Sequence, residues 1–107
     1  MLSLDSKIRF AGVINERGKI ISGGLREGLK SLENQKDDEM LFTEVALRTR
    51  MRKEFDNQLG KVKFAMSLRD KVIIMSFPIG EHDILYVSAN TDLDHGKISM
   101  KILEILC

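Results

Sequence analysis

The sequence predicts an α+β domain: a five-stranded antiparallel sheet in the order 2-1-5-4-3, with a long central helix on one face and a C-terminal helix on the other. Three observations carry this expectation. Two short β-rich runs separated by a glycine turn open the chain, one long helical period occupies its middle, and three strand-like runs joined by tight turns follow before a last helix. Three consecutive strands with short connections pair as hairpins, because a parallel pairing needs a crossover of a dozen residues or more.

Met1 to Lys7 is too short for a stable helix of its own and reads as a tail or the remnant of a first helix. Ile8 to Asn15 is apolar and partly β-branched, Glu16-Arg17-Gly18 supplies a turn, and Lys19 to Ser22 resumes β character, which together predict a hairpin. Gly23, Gly24 and Gly28 break regularity, and Leu25, Leu29 and Leu32 punctuate the connection that follows. Asp37, Asp38 and Glu39 then place negative charge at the positive end of a helix over Asp38 to Leu59. Its apolar positions are Met40, Leu41, Val45, Leu47, Met51, Phe55 and Leu59, and Gly60 stops it. Roughly 22 residues at ~1.5 Å make a rod of about 33 Å, long enough to cross a small domain.

Alternation marks the next strand, Lys61 to Leu68, with Val62, Phe64, Met66 and Leu68 on one face and Lys61, Lys63, Ala65 and Ser67 on the other. Val72 to Phe77 is a denser run typical of an interior strand, ended by Pro78, which has no N–H for the ladder. Ile84 to Ala89 forms the last strand. Asn90 to Asp92, or Asp94, caps a closing helix whose apolar positions are Ile98, Ile102, Leu103, Ile105 and Leu106. Met40, Met51 and Met66 are expected on buried faces as core filler.

The chain has 107 residues, one domain's worth, and 43% hydrophobic against 31% charged residues is too apolar for intrinsic disorder. Seventeen basic against sixteen acidic side chains leave a net charge of +1, which gives no global field to recruit nucleic acid or an anionic membrane. One cysteine, Cys107, excludes an internal disulfide and fits a reducing compartment. With no apolar run of about 18 residues and no leader peptide, the expected setting is the cytoplasm.

Chemistry-bearing motifs are few. Gly23 and Gly28 have the glycine spacing of a phosphate-binding loop, but Leu29 intervenes before Lys30 and Ser31, so the lysine is displaced from the phosphates; a strand-to-helix connection explains the segment better. His82 and His95 lie beside carboxylates, yet neither has the converging ligands of a metal site nor a nucleophile beside it, and turn and cap chemistry accounts for both. No catalytic, cofactor or metal residue is assigned, and the protein is not expected to be an enzyme. Charge is unevenly spread: Arg48 to Lys71 carries a local +5, whereas Glu81 to Cys107 carries −3. Arg48, Arg50, Arg52 and Lys53 are either a solvated helix face or a docking surface for an acidic partner, which would raise on-rate more than affinity.

The hairpin Val13-Ile14-Asn15-Glu16-Arg17-Gly18-Lys19-Ile20-Ile21, followed by the long helix, the three-strand meander and the final helix, resembles the Roadblock dynein light-chain family over residues 8 to 106. Within that profilin-like layout, Ile8 to Ile14, Gly23 to Gly28 and Arg69-Asp70-Lys71-Val72 look like an archaeal family without an assigned activity. The resemblance implies one Roadblock-like domain over residues 1–107 acting as a non-catalytic dimeric scaffold or regulatory adaptor. Its partners would be a second copy and a small GTPase or another protein, with no nucleic acid and no membrane insertion. It also implies an interface on the outer side of Thr43 to Asn57 and the strand Lys61 to Leu68. The expected interface residues are Arg48, Arg50, Arg52, Lys53, Lys61, Lys63, Ala65 and Ser67. A small-molecule sensor is the alternative, because related profilin-like sheets hold ligand pockets. Roadblock domains begin with a helix that this chain has room for only in part, so a second surface is expected where residues of the first hairpin, Leu2, Leu4 and the exposed side of the closing helix receive a helix from a partner or a second copy.

Overall fold

The computed structural model describes residues 2–29 and 35–106. A single 3-10 turn at Leu2–Leu4 leads into strands β1 (Ile8–Ile14) and β2 (Ile20–Leu25). Helix α1 (Gln35–Arg52) continues through a 3-10 turn at Lys53–Phe55 into the short helix α2 (Asp56–Leu59). Strands β3 (Ala65–Leu68), β4 (Ile73–Ile79) and β5 (Asp83–Ala89) follow, and α3 (His95–Leu106) closes the chain. All pairings are antiparallel, and the order is β2-β1-β5-β4-β3, as expected from the sequence, with hairpins joining β1 to β2 and β3 to β4 to β5.

Strand alternation splits the core in two. One cluster joins Ile8, Ala11, Ile73, Met75, Phe77, Leu85, Val87 and Ala89 to Ile98 and Ile102 of α3. Phe64 stacks on Phe77 at this face, with ring centroids 5.5 Å apart. The other cluster joins Ile14, Ile74, Ile84 and Tyr86 to Phe42 and Ala46 of α1. Its centre is aromatic: Phe42 meets Tyr86 edge-on at 4.9 Å, and Phe10 lies 5.6 and 5.7 Å from the two rings. The Asp94 carboxylate caps α3 by accepting from the Lys97 N–H at 3.2 Å.

Several expected boundaries move, each for a physical reason. β2 runs on through Gly23 and Gly24 instead of breaking there. Gly12 pairs with Gly23 across the ladder, and a Cβ on Gly23 would lie 2.2 Å from the Ala11 carbonyl oxygen. At φ +91° in that close approach, glycine is what lets the strand continue. β3 starts at Ala65 rather than Lys61, so Lys61, Lys63 and Phe64 precede the strand. β4 carries Pro78 inside its span because β3 starts, at Ala65, opposite Ser76, and no third strand asks Pro78 for an N–H.

The largest difference concerns α1. It begins three residues earlier than Asp38, and its sheet-facing side is Phe42, Ala46 and Thr49, with Leu41 and Val45 half-buried. Met40, Leu47, Met51, Phe55 and Leu59 are exposed, and α2 buries none of its side chains. The helix carries two apolar stripes, and the sheet takes the one that seats Phe42 against Phe10 and Tyr86. Met40, Met51 and Met66 are therefore not core filler in this chain. The N-terminal segment also corrects an expectation, since Leu2 and Leu4 are half-buried against the α3-side core and so are not free to receive a partner's helix. The Arg26 guanidinium holds this segment by donating to the carbonyls of Leu2, Asp5 and Ile8, the last at 2.8 Å.

Candidate functional site

The register places one row of residues across the α1 side of the sheet: Ala65, Ser76, Tyr86, Gly12 and Gly23. Tyr86 is the only large member, and it fills the space under Phe42. On the β3 side of it the row is small, and the helix residue above is Thr49. A helix held away by one ring over small neighbours leaves room, and a cavity of about 450 Å³ lies there.

Its walls come from four elements. Thr49 and Arg52 of α1, Lys53, and Asp56 of α2 form one side; Lys61, Val62 and Ala65 form the second; Ser76, Pro78, Gly80, Glu81 and His82 of β4 and the β4–β5 turn close it. The Lys53 ammonium donates to the Glu81 carbonyl oxygen, which ties the end of α1 to that turn. His82 Nδ1 is 3.0 Å from a Glu16 carboxylate oxygen, and its Nε2 is 3.8 Å from Glu81, so carboxylates already flank the ring. Thr49 donates its hydroxyl hydrogen to the Val45 carbonyl at 2.8 Å. Arg52, half-buried, and Lys61 make no ion pair among the described residues. Ser76 is 6% exposed, and its hydroxyl makes no hydrogen bond among the described residues.

Of the eight residues singled out from sequence, four meet at this cavity: Arg52, Lys53, Lys61 and Ala65. Arg48 instead pairs with Glu44 at 3.4 Å on the outer helix surface. Arg50, Lys63 and Ser67 are exposed elsewhere, with Ser67 opposite Ile74 on the edge strand. Thr49, Ser76 and His82 complete the cavity without being expected in it. A signal for Ser76 does exist, since it is the one polar residue inside the apolar run Val72 to Phe77.

A second cleft of about 550 Å³ lies on the same side of the sheet, beside the N-terminal half of α1. Phe10, Phe42, Tyr86 and Ile74 line it with Arg9, Lys19, Arg69 and Lys71. Gly23 belongs to β2, while Lys30 and Ser31 of the glycine segment, like Cys107, lie outside the described residues. Among the described residues, no three of His, Cys, Asp and Glu converge as a metal site.

The family model of DUF6659, a family of unknown function, matches residues 1–107. No curated protein matches the sequence. Among solved structures, the gliding protein MglB from Thermus thermophilus superposes with a TM-score of 0.70 at 16% identity, over 90% of this chain and 72% of that one. An MglB with a tetrameric arrangement gives a TM-score of 0.71 at 17% identity, over 90% and 71%. A Roadblock/LC7 domain from Streptomyces avermitilis gives 0.66 at 15%, over 96% and 87%. At these identities the likeness is one of fold, and the fold is Roadblock-like.

Proposed function

We propose that this chain, which belongs to the DUF6659 family, is a non-catalytic dimeric scaffold or regulatory adaptor. The observation that carries the reading is the outer stripe of the long helix. Met40, Leu47, Met51, Phe55 and Leu59 are all exposed on one helical run, and Met66 and Leu68 add apolar surface on the four-residue edge strand β3. Single exposed apolar residues are ordinary, but this many on one helix and an adjoining edge mark an interaction surface. A two-fold axis at the β3 edge pairs that strand with its copy and brings the two stripes together, which removes the edge and covers the stripe in one step.

In this reading Arg48, Arg50, Arg52, Lys53, Lys61, Lys63, Ala65 and Ser67 belong to or border the partner interface. Their charge favours an acidic protein partner, and a small GTPase, which the Roadblock resemblance suggests, is the first candidate. The MglB structure with a tetrameric arrangement lends support to assembly beyond one chain. The working compartment is the cytoplasm; among the described residues no helix is long and apolar enough to cross a membrane.

Light scattering at tens of micromolar, a range in which weak micromolar interfaces are filled, is expected to give twice the monomer mass. The paired change Met51→Asp with Phe55→Asp should return the monomer with an unchanged circular dichroism spectrum. A native protein that stays monomeric, or a double variant that stays dimeric, overturns the reading. Partners captured from native cytosol by the tagged chain and lost with the double variant would identify the adaptor's target. A small-molecule sensor remains the second reading, favoured by the 550 Å³ aromatic-floored cleft, a volume within the usual ligand-pocket range. It requires saturable ligand binding that survives the double substitution.

A further inference from the structure

We propose that the 450 Å³ cavity under the C-terminal part of α1 is a binding site for a small organic phosphate. This inference does not rest on dimerisation. Three polar groups of separate elements line the cavity with their bonding capacity unspent: Arg52 on α1, Lys61 before β3 and the hydroxyl of Ser76 on β4. Arg52 is half-buried, which costs a lone guanidinium solvation and makes an anionic partner more favourable than on an open surface. Ser76 is more than nine-tenths buried as a residue, yet no enclosed side-chain polar atom among the described residues lacks a partner, so its hydroxyl keeps an open side at the cavity, where a ligand oxygen can meet it.

The donor set favours phosphate over carboxylate. A carboxylate offers two oxygens in one plane and is satisfied by a single guanidinium fork, whereas a phosphate presents three terminal oxygens in different directions. Arginine, lysine and serine approaching from different walls match the latter. The Thr49 hydroxyl, whose hydrogen already goes to Val45, is left to accept from a donor on the ligand. The volume exceeds that of an inorganic anion and falls in the range of small-molecule pockets, so an organic body attached to the phosphate has space against Val62 and Pro78. Asp56 and Glu81 also line the cavity. Their charge opposes the anion but suits hydroxyl groups of such a body, which places the phosphate toward Arg52 and Lys61 and the polar body toward the carboxylates.

The test is an amide NMR titration of the full chain with glycerol 3-phosphate, inorganic phosphate and acetate at constant ionic strength. Saturable shifts are expected at Thr49 to Asp56, Lys61 to Ala65 and Ser76 to Gly80, strongest for glycerol 3-phosphate. Arg52→Gln and Lys61→Gln should each weaken binding about tenfold and Ser76→Ala about threefold. Arg50→Gln, on the same helix but outside the cavity, should change it by less than about twofold. Lys61 is exposed, so its variant decides the matter if Arg52→Gln does not fold. The proposal falls if no ligand saturates, if acetate binds as well as glycerol 3-phosphate, if the shifts gather elsewhere, or if Arg50→Gln weakens binding as much as Lys61→Gln.

Discussion

Gly18 in the β1–β2 turn lies directly against the backbone of Thr43 in α1: a Cβ at Gly18 would sit 2.7 Å from both the Cα and the nitrogen of Thr43. The turn is shaped for this contact. Asn15 Oδ1 accepts the N–H groups of Arg17 and Lys19 at 2.9 and 3.0 Å, and Gly18 takes φ +80°. Hairpin and helix are thereby docked through main chain, with no side chain between them.

The expected cost of Gly18→Ala follows from both constraints. The left-handed conformation and the clash with a helix backbone that cannot rotate away should together destabilise by about 2–4 kcal/mol. Urea unfolding of this variant beside Gly24→Ala, where a Cβ meets nothing within 4 Å, measures the difference. Equal losses in the two variants would contradict the account.

Phe42 and Phe55 are thirteen positions apart on one helical run and should respond oppositely to truncation. Phe42→Ala removes the ring between Phe10 and Tyr86 and should cost about 3–5 kcal/mol. Phe55→Ala should change the stability of the isolated monomer by less than about 0.5 kcal/mol, because the side chain is exposed. Its effect should appear in the concentration dependence of melting, where a dimer that loses the contact melts earlier at high protein concentration.

Arg26→Gln should release the first turn. The guanidinium donates to three carbonyls, and its loss should cost about 2–3 kcal/mol. Hydrogen exchange should quicken selectively at the Ile8 amide, which bonds the Asp5 carbonyl, while α1 amides keep their protection. Uniform acceleration throughout the sheet would instead show that Arg26 supports the whole domain.

Much of the architecture is legible in the sequence because it rests on period and punctuation. Hairpins at Gly18 and at Gly80–Asp83 and the helix stop at Gly60 all follow from local chemistry, and short connections give the β1–β2 and β3–β4–β5 neighbours, while the β1–β5 pairing that joins them does not follow from any local signal. Which side of α1 meets the sheet is not legible, because Met40, Leu47, Met51 and Phe55 repeat at the same helical spacing as Phe42, Ala46 and Thr49. Hydrophobicity alone ranks the first set higher, whereas fit against Phe10 and Tyr86 selects the second. The cavity is half legible: the run Arg52-Lys53 and Lys61 announces basic character, but their meeting with Ser76 and His82 depends on register across β3, β4 and β5. A one-residue shift would turn Ser76 to the opposite face.

The β1–β5 pairing also governs how the chain reaches this state. Ile14 pairs with Ile84 and Ile8 with Ala89, so the central ladder joins segments separated by most of the sequence. The β3–β4–β5 meander closes through short turns, whereas β1 must wait for a loop spanning both the helix and the meander to close. During synthesis, β1 and β2 therefore emerge first and remain without their central neighbour until Ile84 to Ala89 has left the ribosome. Folding is expected to begin in the β3–β4–β5 meander, with the opening hairpin adding to β5 afterwards. In refolding kinetics, Val87→Ala should slow folding, while Val13→Ala should mainly speed unfolding.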